Sequence, residues 1–372
     1  MSLLKTETMV INMGPQHPST HGVLRFILTT DGEVIHSAIP DIGYLHRGME
    51  KIAEQITYHQ FMPYTDRIDY LASMNCNWGY ALTVERLMGI EVPRRAEFIR
   101  VLVGELNRIA SHLIAVGAMG SDLGAFTPFL HAIREREWIN DIMEMVCGVR
   151  LTFNYMRIGG VSYDLPEGFM QNLTEFLDYF EPKVKQFNDL LSYNKIFVER
   201  TSGVVPIPAE KAIGFSLAGP NLRASGVQWD LRRDDPYSVY RELEFEVPVG
   251  KGEYGETGDC LERYMIRINE MVESIGIIRQ CIRMMPDGER IAKVPRVLKP
   301  PAGEIYARTE APRGELGFYL ISDGSQKPYR LKIRTGSFTA MSIIPDVAQG
   351  CLIADLVALI GSLDLIAPEI DR

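Results

Sequence analysis

Cysteine is scarce and scattered in this sequence. Five residues, Cys76, Cys147, Cys260, Cys281 and Cys351, are spread over 372 positions without a CxxC pair. Zinc ribbons and iron–sulfur clusters need closely spaced thiolates, so neither is expected within this chain. An odd, dispersed set of cysteines fits a reducing, cytosolic setting. Positive charge is also short: 39 Lys and Arg stand against 48 Asp and Glu, a net charge of −9. That balance excludes the basic face by which proteins hold nucleic acid. The start, MSLLKTETMVINMG, lacks the basic and apolar regions of a secretory signal. The most apolar late segment, residues 347–363, is interrupted by Gly350 and Asp355 and falls short of a spanning helix. Work at a membrane would therefore require docking on another protein of a larger complex. Internal repeats and low-complexity tracts are missing too.

What is present is an ordinary globular composition, 46% hydrophobic and 23% charged, with enough chain for one large or two ordinary domains. VLRFILTT and EVIHSAI flank Asp31–Gly32, which predicts a hairpin. From Met49 to about Arg200 helical periodicity dominates. Ile99, Val103, Leu106, Ala110 and Leu113 make one buried stripe between Arg95 and Gly117. The polar face of that helix carries Glu105 and Arg108, spaced for a surface ion pair. Residues 200–257 read as long loops around short elements. A second long helix is expected from Leu261 to about Ile282, with Leu261, Met265, Ile268, Val272 and Ile275 as its stripe. Strands return at EIYARTE, ELGFYLISDG and YRLKIRT, and the tail is helical to Ser362. The fold class is α+β, a helical core with small antiparallel sheets from both ends. It reads as one domain over 1–372: strands in 1–46, helical core in 47–290, strands in 300–340 and a helical tail in 341–372.

Each chemical candidate has two readings. In GPQHPSTHG, residues 14–22, His17 and His21 have the spacing of a helical zinc site. Pro18 forces His17 towards extended geometry, and Pro15 and Gly22 bracket the stretch as a loop. It either presents polar groups to a ligand or is a stiff turn with hydrogen-bonded histidines. Asp122, in MGSDLGAFTPF, is a site carboxylate or an N-cap or turn residue. Tyr70, in TDRIDYLASM, is a site phenol or a core tyrosine. REREW, 134–138, is a solvated or interface face. AGPNLRASG has glycines but no following phosphate-binding lysine.

Together these segments carry a resemblance. GPQHPSTHG, IGYLHRGMEKIAE, DRIDYLASM, RIASHL, DLGAFTPF, IREREW, NYMRIGGV, LRASGVQWDLR, APRGELGFYLISDG and EIDR resemble, in order, the D-subunit family of respiratory NADH:quinone oxidoreductase, complex I. The similarity runs from about Glu7 to Arg372. That family is in turn similar to the large subunit of nickel–iron hydrogenases, whose metals sit on R-[IV]-C-G-x-C and D-P-C-x-x-C. Arg67 to Ala72 and Asp364 to Glu369 match these frames, so the thiolate positions hold Asp69, Ala72, Ile366 and Glu369. These side chains cannot replace soft thiolate ligands; the resemblance implies a hydrogenase scaffold without its metal.

The resemblance further implies that the site takes a quinone head-group, menaquinone or ubiquinone. His21 and Tyr70 would bind it, and Asp122 would pair with His21. Both head-group ligands can donate a hydrogen bond and pass on a proton. Electrons would come from a [4Fe–4S] cluster in the B subunit of the complex, near Arg47, with His46 as a weaker neighbour. The B, C and I subunits and the membrane-embedded H subunit would be partners, with the chain peripheral on the cytoplasmic side of the cell membrane. The family's complex oxidises NADH, binds NAD and translocates protons. Thr152 stands where many members have histidine, which implies a lower-potential cluster and a quinone such as menaquinone. The alternatives are a large subunit of a hydrogenase-type or ferredoxin-fed membrane complex, and a non-catalytic scaffold.

Overall fold

The computed structural model describes residues 8–15 and 22–372. Three antiparallel strands, β1 (Met9–Met13), β2 (Arg25–Asp31) and β3 (Val34–Asp41), pair in sequence order. In β2, Phe26, Leu28 and Thr30 are buried while Arg25, Ile27 and Thr29 are less so, the period of a strand with one covered face. The expected hairpin lies here, and Gly32 adopts φ 59° in its turn, a conformation that glycine enters without steric cost.

Helices follow: α1 (Met49–Ala53), α2 (Tyr58–Thr65), α3 (Ser73–Met88), α4 (Arg94–Asp122) and α5 (Phe126–Cys147). A capping box opens α2: the Thr57 hydroxyl accepts from the Gln60 amide, and the Gln60 side chain accepts from the Thr57 amide. A small hairpin, β4 (Met156–Arg157) and β5 (Gly160–Val161), precedes α6 (Phe169–Phe187). Short helices α7 (Lys195–Thr201), α8 (Ala209–Gly214), α9 (Gly219–Ala224) and α10 (Leu231–Asp234) occupy the loop-rich stretch. Then come α11 (Cys260–Met284) and the antiparallel sheet β6 (Gly303–Ala311), β7 (Gly314–Ser322) and β8 (Arg330–Arg334). The tail is α12 (Gly336–Val347), α13 (Ile353–Leu363) and α14 (Ala367–Asp371). The α+β expectation stands.

The centre of the molecule is α4, packed between α5 and α11. Its expected stripe, Ile99 to Leu113, is fully buried. It is long and apolar enough to cross a membrane, but 89% of that window is buried inside the fold, as in a core helix. Gly117 lets α5 approach: a β-carbon there would lie 3.2 Å from the Phe129 Cα and 3.0 Å from the Ala132 side chain.

Two expectations fail here. Glu105 and Arg108 do pair, at 3.1 Å, but both are 0% exposed. Neighbouring elements cover the middle of α4 on all sides, so Arg100, Glu105, Asn107, Arg108 and His112 are enclosed too. Glu105 also accepts from Arg232 at 3.1 Å, Tyr240 at 2.6 Å and Ser274 at 2.7 Å. In α11 the buried line is Leu261, Tyr264, Ile268, Met271, Ile275 and Ile278, whereas Val272 is 46% exposed and Met265 half-buried. Both latter residues line a surface groove against the loop 246–254.

Candidate functional site

Tyr70 sits in the turn between α2 and α3, 37% exposed, while its neighbours Ile68, Asp69 and Leu71 point inward. The core-tyrosine reading therefore fails. Asp122 is the last residue of α4, not an N-cap. A carboxylate at a helix C-terminus opposes the macrodipole, so helix stability does not explain its presence. The next residues close the helix, with Gly124 at φ 91° and the Ala125 amide bonded to the Gly120 carbonyl at 2.8 Å.

Tyr70 and Asp122 line one cavity of about 340 Å³. Leu71, Ile114, Ala115, Ala118, Phe126, Phe129 and Ile366 supply apolar walls, and Asp364 a further carboxylate. Such a pocket, mainly apolar with a few convergent polar groups, suits a small, largely apolar ligand. His21 and His17 lie outside the described residues. Gly22 does not: a β-carbon there would be 3.7 Å from the Ala367 Cβ, beside the wall residue Ile366. The described Gly14–Pro15 peptide bond of the same motif is cis.

Beneath Tyr70 is a buried charge cluster. The two-residue tip of the β6–β7 hairpin, Pro312 and Arg313, enters the core. The Arg313 guanidinium pairs with Asp69 and with Asp364 at 3.1 Å, and its Nε donates to the Asp364 carbonyl at 3.0 Å. Asp364 follows α13 with φ 55°, a left-handed conformation that costs a non-glycine residue about 1 kcal/mol or more. Its other oxygen lies 3.7 Å from Arg267 Nε. Glu369 is fully buried and accepts from the Ser337 hydroxyl. The stretches 67–72 and 364–369 thus meet through Arg313, which pairs with Asp69 and with Asp364. Among the described residues no group of three His, Cys, Asp or Glu is arranged to hold a metal ion.

Electrostatics follow the burial. Burial raises the Tyr70 phenol; Arg313 and Arg136 pull it back, while Asp69 and Asp364 add to the rise. Burial also raises Asp69 against the pull of Arg313. Burial and then Asp69 raise Glu369 to about 7. For Arg313, burial works against the charge, but Asp364, Asp69 and Glu369 outweigh it and hold the group above its ordinary value.

Arg47 is not part of this cavity. It is exposed in a separate groove with Tyr64 and Arg67, and its Nη2 donates to the Arg67 carbonyl at 2.8 Å. Burial and then Arg67 lower its guanidinium, against Asp371. His46 is tied to the Asp371 carbonyl at 2.7 Å, and the Asp371 carboxylate accepts from the Gly43 and Leu45 amides. Thr152 adopts φ 54° in the loop after α5. Beside it, Asn154 donates to Asp66 at 2.9 Å, and Asp66 pairs with Arg67.

Arg313, Asp364 and Arg136 were not singled out as site residues. Part of the signal was available for Arg313: an acidic side chain at a buried position such as 69 calls for a counter-charge, although its spacing in sequence does not point to residue 313. REREW is divided, with Arg134 exposed, Glu135 buried and Arg136 half-buried near Tyr70. AGPNLRASG is α9, not a phosphate loop. Arg223 is buried against Glu270 and Glu310, and Gly219 crosses Gly314 so closely that a β-carbon would fall 2.3 Å from its Cα.

Residues 122–301 and 291–372 match the family described as respiratory-chain NADH dehydrogenase, 49 Kd subunit. The chain is 57% identical over 368 residues to the first of the NADH-quinone oxidoreductase D subunits of Anaeromyxobacter sp. (strain K), covering 99% of this chain and 97% of that one. It is 55% identical to the second such D subunit of Sorangium cellulosum (strain So ce56), over 98% and 95% of the two chains. With the NADH-quinone oxidoreductase D subunit of Chlorobium luteolum (strain DSM 273 / BCRC 81028 / 2530) it shares 54% identity, over 99% and 94%. Matches of this extent, spanning the cavity, the charge cluster and the tail, mean that the chain belongs to the 49 kDa subunit family of respiratory-chain NADH dehydrogenase.

Proposed function

We propose that this chain forms the quinone-head site of a complex I-type NADH:quinone oxidoreductase. The observation that carries the reading is the shared cavity of Tyr70 and Asp122, two polar groups from separate elements facing one apolar space. Reduction of a quinone consumes two electrons and two protons. Tyr70 donates its O–H to one carbonyl oxygen of the head and passes on that proton. His21 serves the other oxygen, and Asp122 fixes its tautomer and raises its basicity. The apolar walls hold the ring and exclude water.

The electrons come from a [4Fe–4S] cluster in the neighbouring B subunit. This neighbour docks on the side of Arg47 and Arg67, whose exposed cationic groove favours the reduced cluster. The C and I subunits and the membrane-embedded H subunit complete the surroundings. The chain lies peripherally on the cytoplasmic side of the membrane, and head-group reduction drives proton translocation in the membrane arm. The quinone is menaquinone or ubiquinone; Thr152 in place of a titratable histidine favours a lower-potential cluster and menaquinone. A cluster potential with strong pH dependence would sink that last point.

The test is Tyr70→Phe in the assembled complex, comparing quinone reduction with an artificial acceptor that takes electrons upstream. Loss of one proton donor lowers quinone turnover by about tenfold or more and leaves the upstream rate intact. Unchanged quinone turnover refutes the site.

A further inference from the structure

The groove between α11 and the loop 246–254 combines an apolar lining with unpaired negative charge. It encloses about 470 Å³. Val247, Val249, Met265 and Val272 supply the apolar lining, and Val272 is 46% exposed. The loop is pinned to the fold. The Gly250 amide donates to the Arg223 carbonyl at 2.9 Å, and a β-carbon on Gly250 would fall 2.2 Å from the Ala224 carbonyl oxygen. Glu262, buried beneath the loop, accepts from the Lys251 and Gly252 amides, each at 3.1 Å. Glu273 accepts from the Glu246 amide at 2.9 Å. Among the described residues none of Glu246, Glu253 and Glu273 forms an ion pair, and Lys251 is the one cation in the lining. The acidic face of α5 differs, because there Arg150 gathers Glu137, Asp141 and Glu144. Tyr254 also lines the groove, exposed, with its ring 5.7 Å from that of Tyr193.

Three carboxylates beside one ammonium leave the groove net negative. That sign repels anionic lipid head-groups and nucleic acid and attracts a cationic partner. An exposed apolar strip edged by charge marks a protein contact. The chain belongs to a subunit family of a larger respiratory enzyme, so other subunits can supply the partner. The lining stretch of α11 from Glu262 to Glu273 spans about 17 Å, the reach of about five extended residues. Arginine stacks on an aromatic face while pairing with a carboxylate, a geometry that the point charge of lysine does not match. We propose that the groove seats an extended segment of another subunit of the complex, anchored by an arginine that stacks on Tyr254 and pairs with Glu253. Apolar side chains of the same segment lie on Val272 and Met265, and Glu246 and Glu273 meet any further cation along it. This contact is independent of the quinone reading.

The experiment places a photoreactive benzoylphenylalanine at position 272 of the chain in the purified, assembled complex. Irradiation should join position 272 to another subunit, and mass spectrometry of the linked peptide should find an arginine within about five residues of the join. Adding Glu246→Lys and Glu253→Lys sets like charges against that segment and should lower the yield of the adduct by about tenfold or more. Raising the salt concentration should lower it too, since exposed charges are screened. A linked peptide without arginine, a peptide of this same chain, a lipid adduct or no adduct overturns the proposal. A yield unmoved by charge reversal overturns it as well. If the charge-reversed chain does not enter the complex, the neutral pair Glu246→Gln and Glu253→Gln replaces it, and an undiminished yield there has the same meaning.

Discussion

Removing Glu105 should damage this protein far more than its helical spacing implies. As one half of an exposed pair its loss would cost under about 1 kcal/mol. In the structure Glu105 is 0% exposed and faces Arg108 and Arg232, with Tyr240 and Ser274 donating to it. Glu105→Ala leaves the buried Arg108 without its carboxylate partner and Arg232 with Asp230 alone, and breaking a buried pair by removing one partner costs about 3–5 kcal/mol. At 1.36 kcal/mol per decade this is about two to almost four orders of magnitude in the local opening equilibrium. Hydrogen exchange of α4 amides in the assembled complex reads that quantity directly. The charge balance also fixes the pH response. Burial would raise Glu105, but Arg108 and Arg232 outweigh it and hold the carboxyl down at about 2. A depressed carboxyl contributes stability that is present above its ordinary value near 4.5 and lost as pH falls towards 2. Exchange accelerated less than about fivefold by Glu105→Ala, or α4 protection insensitive to acid in that window, would refute the buried-network account.

Thr152→Asn should slow exchange in the loop 149–155 by an amount worth about 1 kcal/mol, because a β-branched residue at φ 54° is strained where asparagine is not; unchanged exchange contradicts this. Gly219→Ala should prevent normal docking of α9 on the β6–β7 hairpin, since its β-carbon would fall 2.3 Å from the Gly314 Cα. Protease resistance of the complex should drop, and wild-type resistance would contradict that crossing.

The long helices were legible because their apolar periodicity is strong, and the strands because their turns carry Asp–Gly, Pro–Arg–Gly and Asp–Gly–Ser signals. What failed has one cause. Glu105 and Val272 were placed by their own helix's pattern, but burial depends on what other elements cover. Thus Glu105 is enclosed by α10 and α11 and Val272 is left at a groove. The site was legible in a similar, partial way. Tyr70 and Asp122 were picked out and share a cavity. Arg313 was not, because its meaning lies in Asp69 and Asp364, which are remote in sequence and adjacent only after folding.

The charge cluster also joins parts of the chain that are far apart in sequence. Asp69 comes from the first helices, Arg313 from a late hairpin, and Asp364 and Glu369 from the final turns. Without the stretch from Asp364 onward, Arg313 would lose its second carboxylate and the cavity its Ile366 wall. The Asp371 carboxylate clasps the Gly43–Leu45 segment, so the same last residues also seal the Arg47 loop. A substitution that loosens residues 364–371 therefore disturbs two separate surfaces at once, the cavity wall and the groove beside Arg47.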